Sequence, residues 1–175
     1  PDLTGRTALV TGANSGLGFW TSVELARHGA RVLMACRNPD RASAALDRLA
    51  SEAPGSSAEL VALDLASLSS VADAATDVAG RTDALDLLVN NAGIMAVGEG
   101  RTADGFELQL GTNHLGHFAL TGRLLPLLLK GSGPRVVPGW VTVSPGPANS
   151  TPPAVPPASE SGQAVDFAGL VTNNN

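Results

Sequence analysis

Tyrosine is absent from this 175-residue chain, and lysine and cysteine each occur once, as Lys130 and Cys36. A single cysteine excludes an internal disulfide, and without tyrosine no phenol is available here as an acid or base. Positive charge is scarce as well. Eleven Lys and Arg stand against sixteen Asp and Glu, a formal net charge of −5. That balance argues against nucleic acid or an anionic membrane as main partner, since both are held by clustered cations that release counterions. No apolar run reaches the roughly 18 residues of a spanning helix, and no basic, apolar-cored leader opens the sequence. A cytoplasmic protein that acts on a small molecule is the expectation.

What is present is alternation. Apolar runs of strand length take turns with helical patterns, as a parallel sheet covered by crossover helices requires. "TALVT" at 7–11 predicts the first strand, 31–36 ("RVLMAC") the second, 58–63 ("AELVAL") the third and 85–89 ("LDLLV") the fourth. Helices are expected over 16–28, 40–51 and 67–79, the first with Leu17, Trp20, Val23 and Leu25 at near-helical spacing. Asp104 and Glu107 resemble a capping box opening a long helix that ends near Lys130, kinked or broken at Pro126. "RVV" at 135–137 starts a fifth strand. From Pro138 to Gly162 the chain carries seven of its twelve prolines, so a domain over 1–137 and an irregular Pro/Ser-rich tail over 138–175 are expected.

Between the first strand and first helix stands "TGANSGLG", residues 11–18. A strand, a glycine turn and a helix start in succession gather backbone N–H groups and the positive end of a helix dipole around one point, which suits a pyrophosphate. Gly12 permits the sharp turn, Gly16 lets backbone approach the ligand, and Gly18 lets the helix pack close to the sheet. About 20 residues beyond the last glycine, where an acid would mark a preference for NAD(H), the sequence reads "ACRN". Arg37 at that place pairs with a 2′-phosphate and favours NADP(H), although Asp40 is close by.

"TGANSGLG", "LDLAS" (63–67), "NNAG" (90–93) and "NHLGHF" (113–118) occur in the order and at about the spacing of the short-chain dehydrogenases/reductases. The resemblance covers residues 1 to about 137. "MACRN" and "TNHLGHFALT" look most like the branch with retinol-dehydrogenase-like and protochlorophyllide-reductase-like enzymes. It implies a doubly wound parallel α/β (Rossmann) sheet in the order 3-2-1-4-5, without the last strands and helices of the family fold. It also implies NADP(H) as cofactor and hydride transfer to or from a small-molecule carbonyl or alcohol. By the same resemblance Gly12, Ser15, Gly16, Leu17 and Gly18 line the pyrophosphate and Arg37 meets the 2′-phosphate. Asp64 bonds the adenine and Leu65 covers it, Asn90, Ala92 and Gly93 line the cofactor side of the fourth strand, and Asn113 is the tetrad asparagine that holds a proton-relay water.

The rest of the tetrad does not carry over. The family's Tyr-x-x-x-Lys, whose lysine lowers the phenol's pKa toward working pH, has no counterpart here, and Lys130 falls at the end of the preceding helix. If the fifth strand carries three extra residues, Pro145 falls at the family's catalytic serine and Ser144 one place before it; without them the place falls near Val141. Three accounts follow: part of a longer enzyme, inactive as it stands; an aberrant stretch after Pro138; or a non-catalytic NADP(H)-binding sensor or interaction module. Oligomeric state is open, with a homo-oligomer among the expectations. His114 and His117 share a helix face at i and i+3, but no third ligand accompanies them, so no metal site is expected.

Overall fold

Strands buried on both faces need helices on both sides of their sheet, and the computed structural model, which describes residues 1–139, has that arrangement. Five parallel strands, β1 (Thr7–Thr11), β2 (Arg31–Cys36), β3 (Ala58–Ala62), β4 (Leu87–Asn90) and β5 (Arg135–Pro138), lie in the order β3-β2-β1-β4-β5. Crossover helices α1 (Gly16–Arg27), α2 (Pro39–Glu52) and α3 (Leu68–Arg81) link the first four strands. Between β4 and β5 run α4 (Leu108–Leu110), a π-helical turn (Gly111–Leu115) and α5 (Gly116–Leu128). The doubly wound sheet and its strand order are those expected from the sequence. Winding reverses between β1 and β4, which opens a crevice at their carboxyl ends.

Strand periodicity divides the core in two. Leu9, Leu33, Val61 and Leu88 point to the side covered by Val71, Ala74 and Val78 of α3 and by Leu120 and Leu124 of α5. Val10, Val32, Met34 and Val89 point to the other, against Phe19 and Val23 of α1 and Ala45 and Leu49 of α2. One expectation about α1 needs correcting. Its buried face is Gly18, Phe19, Ser22, Val23 and Ala26, whereas Leu17 is 70% and Trp20 44% exposed. Gly18 must face the sheet, and that requirement sets the helix phase and turns Leu17 outward.

The segment between β4 and β5 also departs from the expected single helix. Glu107 alone is the N-cap, its carboxylate accepting from the N–H groups of Gln109 and Leu110 at 2.8 and 2.7 Å. Asp104 instead accepts from Leu68 N–H at 2.8 Å, at the start of α3. The π-helical turn interrupts the helix where it approaches the residues after β3: a Cβ on Gly116 would lie 2.4 Å from the Leu65 carbonyl oxygen. Pro126 lies inside α5, and the helix runs only two residues beyond it. Pro138, placed by sequence in the irregular tail, is the last residue of β5, paired in register with Asn90. The remainder of that tail, from residue 140, lies outside the described residues.

Opposite the crevice, one carboxylate ties the entry edge of the sheet together. Asp86 Oδ2 accepts from Thr7 N–H at 2.9 Å. Its Oδ1 accepts from Ser132 N–H and Arg6 Nη1, both at 2.9 Å, and Arg6 Nη1 also donates to the Ser132 carbonyl. Burial acts to raise the Asp86 pKa, but the Thr7, Arg6 and Ser132 donors outweigh it and hold the group below its ordinary value. Asp86→Ala is therefore expected to cost about 2–4 kcal/mol in urea unfolding at neutral pH, since it orphans buried donors. Because the folded pKa is depressed, this stabilisation is full above the unfolded value of about 3.9 and is lost as pH falls through the folded one. The wild-type and variant stabilities should converge in acid; equal urea midpoints at pH 7 would contradict the clamp.

Candidate functional site

The crevice is built around the turn that leaves β1. Gly12 has φ +65° and Gly16 φ +55°, left-handed values that glycine adopts at little cost, with Ser15 extended between them at φ −161°. Gly12 N–H donates to the Ala35 carbonyl at 2.9 Å, and Asn91 Nδ2 donates to the Thr11 carbonyl at 3.0 Å. Those bonds pin the turn to β2 and to the residues after β4. Gly18 is the contact point, since a Cβ there would lie 2.4 Å from both the Gly12 carbonyl oxygen and Asn91 Nδ2.

The helix start behind this turn is open. Asn38, Ser67 and Glu107 cap the starts of α2, α3 and α4 through their side chains, whereas Ser15 makes no side-chain cap to α1. The first N–H groups of α1 thus keep their donors for another acceptor, at the positive end of the helix dipole. That is the donor set an anionic diphosphate takes up.

A cleft of about 420 Å³ lies over the carboxyl ends of the strands, within the range of about 300–1,000 Å³ usual for ligand sites. Of the residues singled out from sequence, Gly12, Ser15, Arg37, Asp64, Leu65, Ala92 and Gly93 line it. Gly16, Leu17 and Gly18 form the adjoining first turn of α1. Asn90 faces elsewhere: its Nδ2 donates to Thr121 Oγ1 of α5 at 3.1 Å, and its Oδ1 is buried without a partner. The neighbouring Asn91, not singled out, lines the cleft instead. Ser144 lies outside the described residues.

Arg41, a residue outside the expected set, joins Arg37 and Asn38 in the cleft wall. Its signal was legible in "RNPDR", because Asn38 caps α2 by accepting from Arg41 N–H at 2.9 Å and Pro39 opens the helix, which brings Arg41 back to the turn of Arg37. Arg6, Arg27, Arg31, Arg48 and Arg81 are all in ion pairs. Arg37 and Arg41 have no acidic partner among the described residues, so two uncommitted cations stand at one end of the cleft.

Asn113 sits in the π-helical turn, behind the cleft wall. Its Oδ1 accepts from Ile94 N–H and its Nδ2 donates to the Ile94 carbonyl, each at 2.8 Å, so the backbone partners define the amide orientation. One Oδ1 lone pair and one Nδ2 hydrogen hold Ile94, a cleft residue, and each atom keeps a further site. Its carbonyl accepts from His117 Nδ1 at 2.9 Å.

Comparison with known proteins agrees with this geometry. The short chain dehydrogenase family model matches residues 6–145, and the chain belongs to that family. It is 49% identical over 136 residues to dehydrogenase/reductase SDR family member 13 of Homo sapiens, covering 78% of this chain and 36% of the relative. Against retinol dehydrogenase 14 of Homo sapiens identity is 47% over 146 residues, covering 76% and 44%. The kinship read from "MACRN" and "TNHLGHFALT" thus holds on its retinol-dehydrogenase-like side. A crystal structure of an uncharacterized protein from Mycobacterium paratuberculosis superposes with a TM-score of 0.65 at 50% identity, over 73% of this chain and 44% of that one. The Pseudomonas aeruginosa RhlG/NADP active-site complex gives 0.64 at 31%, over 74% and 48%. The chain spans less than half the length of each of these relatives.

The family uses a nicotinamide dinucleotide, and the residues present fit one: free donors at α1, a turn with room above it and a polar cleft across the switch point. Gly18→Ala is expected to push α1 off β1, costing about 1–3 kcal/mol by overpacking. A thermal melt indistinguishable from wild type would show that the contact is looser than described.

Proposed function

We propose that residues 1–139 form the NADP(H)-binding half of a short-chain oxidoreductase acting on a small-molecule carbonyl or alcohol. The observation that carries this reading is the uncapped start of α1 facing a cleft that also holds Arg37 and Arg41. The open N–H groups at the start of α1 would hold the diphosphate, Asp64 and Leu65 the adenine, and the two arginines a 2′-phosphate through charge-assisted bonds. Asp40, exposed in the first turn of α2, is outside the cleft wall and pairs with neither arginine among the described residues. Bound there, the nicotinamide supplies a hydride donor or acceptor, while the protein contributes orientation and shelter from water. Asn113 holds Ile94 at the cleft, and the remaining Nδ2 hydrogen is the donor it would offer a proton-relay water.

With no tyrosine anywhere in the sequence, the 175-residue chain tested by itself should bind NADPH without turning it over. The same observation favours, as second reading, a non-catalytic NADP(H)-binding module. Fluorescence titration should show NADPH bound more tightly than NADH, and Arg37→Asp should weaken NADPH by about tenfold or more while sparing NADH. Equal affinities for the two nucleotides in both proteins would remove the phosphate role of Arg37. Steady NADPH oxidation by chain confirmed by mass would refute the expected lack of turnover.

A further inference from the structure

His117, on α5, is 7% exposed and uses both ring nitrogens. Nδ1 lies 2.9 Å from the Asn113 carbonyl oxygen and Nε2 2.9 Å from Thr11 Oγ1. A carbonyl can only accept, so Nδ1 carries the hydrogen, and in the neutral ring Nε2 is left as an acceptor. The one Thr11 hydroxyl hydrogen has two acceptors in reach, Nε2 at 2.9 Å and the Val89 carbonyl at 3.4 Å, and the shorter contact assigns it to Nε2; the oxygen lone pairs are left to take the Ala92 N–H at 2.9 Å. Burial favours the neutral ring; the Asn113 carbonyl works the other way and His114 adds a further push toward neutrality.

The consequence lies in where these bonds end. Ala92, Gly93 and Ile94 are consecutive cleft residues. One end of that strip is held by Thr11 Oγ1 at Ala92 N–H, the other by the Asn113 amide at Ile94. His117 joins the two holders, Thr11 at the end of β1 and Asn113 in the π-helical turn, which are otherwise remote in the chain.

Resting on the NADP(H) reading above, we propose that His117 is a positioning residue for the cofactor cleft: its Nδ1–H tautomer links the Asn113 carbonyl to the Thr11 hydroxyl and so fixes the Ala92–Ile94 wall. The ring is not itself in the cleft lining; it meets the cleft at Thr11, a lining residue, and acts through Thr11 and Asn113.

The test is a double-mutant cycle on the full chain, with the NADPH dissociation constant as readout and cooperative melting as the check on folding. His117→Phe and Thr11→Val are each expected to weaken NADPH about tenfold. The pair together should weaken it no further than either alone, because both cut one linkage. Thr11→Ser, which keeps the hydroxyl, should bind within about twofold of wild type. Two-bond ¹H–¹⁵N correlations should show His117 protonated at Nδ1 with a bare Nε2 whose resonance moves in Thr11→Val. Where His117→Phe does not fold, the isosteric Thr11→Val against Thr11→Ser carries the comparison. Wild-type affinity in His117→Phe or in Thr11→Val, losses that add, or a hydrogen on Nε2 overturns the inference while leaving the cofactor reading intact. A wild-type chain that fails to bind NADPH overturns the cofactor reading and the inference with it.

Discussion

Everything at the cleft depends on α1 reaching the end of β1 closely enough that residue 18 has no room for a side chain. The Gly12 carbonyl and the Asn91 amide occupy the place a Cβ would take, so the helix start is drawn against the turn and its first N–H groups meet the cleft. Packing and binding are thereby one problem. The contact that completes the Phe19 and Val23 side of the core also aims the donors that an anion requires. A residue that loosened the contact would alter the core and the donor set together.

The two edges of the sheet have separate tasks. At the entry edge, Asp86 spends both oxygens on Thr7, Ser132 and Arg6, satisfying backbone groups where β1, β4 and the approach to β5 come together. At the exit edge, backbone and side-chain donors are left available, and the arginines there are uncommitted. Polar groups are closed off where rigidity is needed and left open where a ligand is expected. Family membership, shown by the match over residues 6–145, agrees with that division.

Features written in local pattern were legible in the sequence. Short apolar runs bounded by turn residues defined the five strands, and their alternation with helices was enough for a doubly wound sheet. Features that depend on distant contacts were not. The phase of α1 does not follow from its apolar spacing: Leu17 and Trp20 look like core residues, whereas the buried position of Gly18 turns them outward. The break at 111–115 leaves no mark in the apolar spacing; it adjoins the close approach of Gly116 to Leu65, a contact distant in the chain. Within "NNAG" the spacing cannot say which asparagine looks toward the cleft, and it is Asn91. His117 and Thr11 stand 106 positions apart, so the bond between them has no local signature. Arg41 is the exception, because the Asn38-Pro39 cap signal beside Arg37 is local and places it.

The central claim is that the open donors at the start of α1 are the anion-binding element of the cleft. The most direct measurement is amide chemical-shift mapping of the ¹⁵N-labelled chain as NADPH is added. The expected result is that the largest shifts fall on the N–H groups of residues 15–18, with Arg37 and Ala92 following at the same nucleotide concentration. Shifts that left those amides unmoved while appearing elsewhere would contradict the claim.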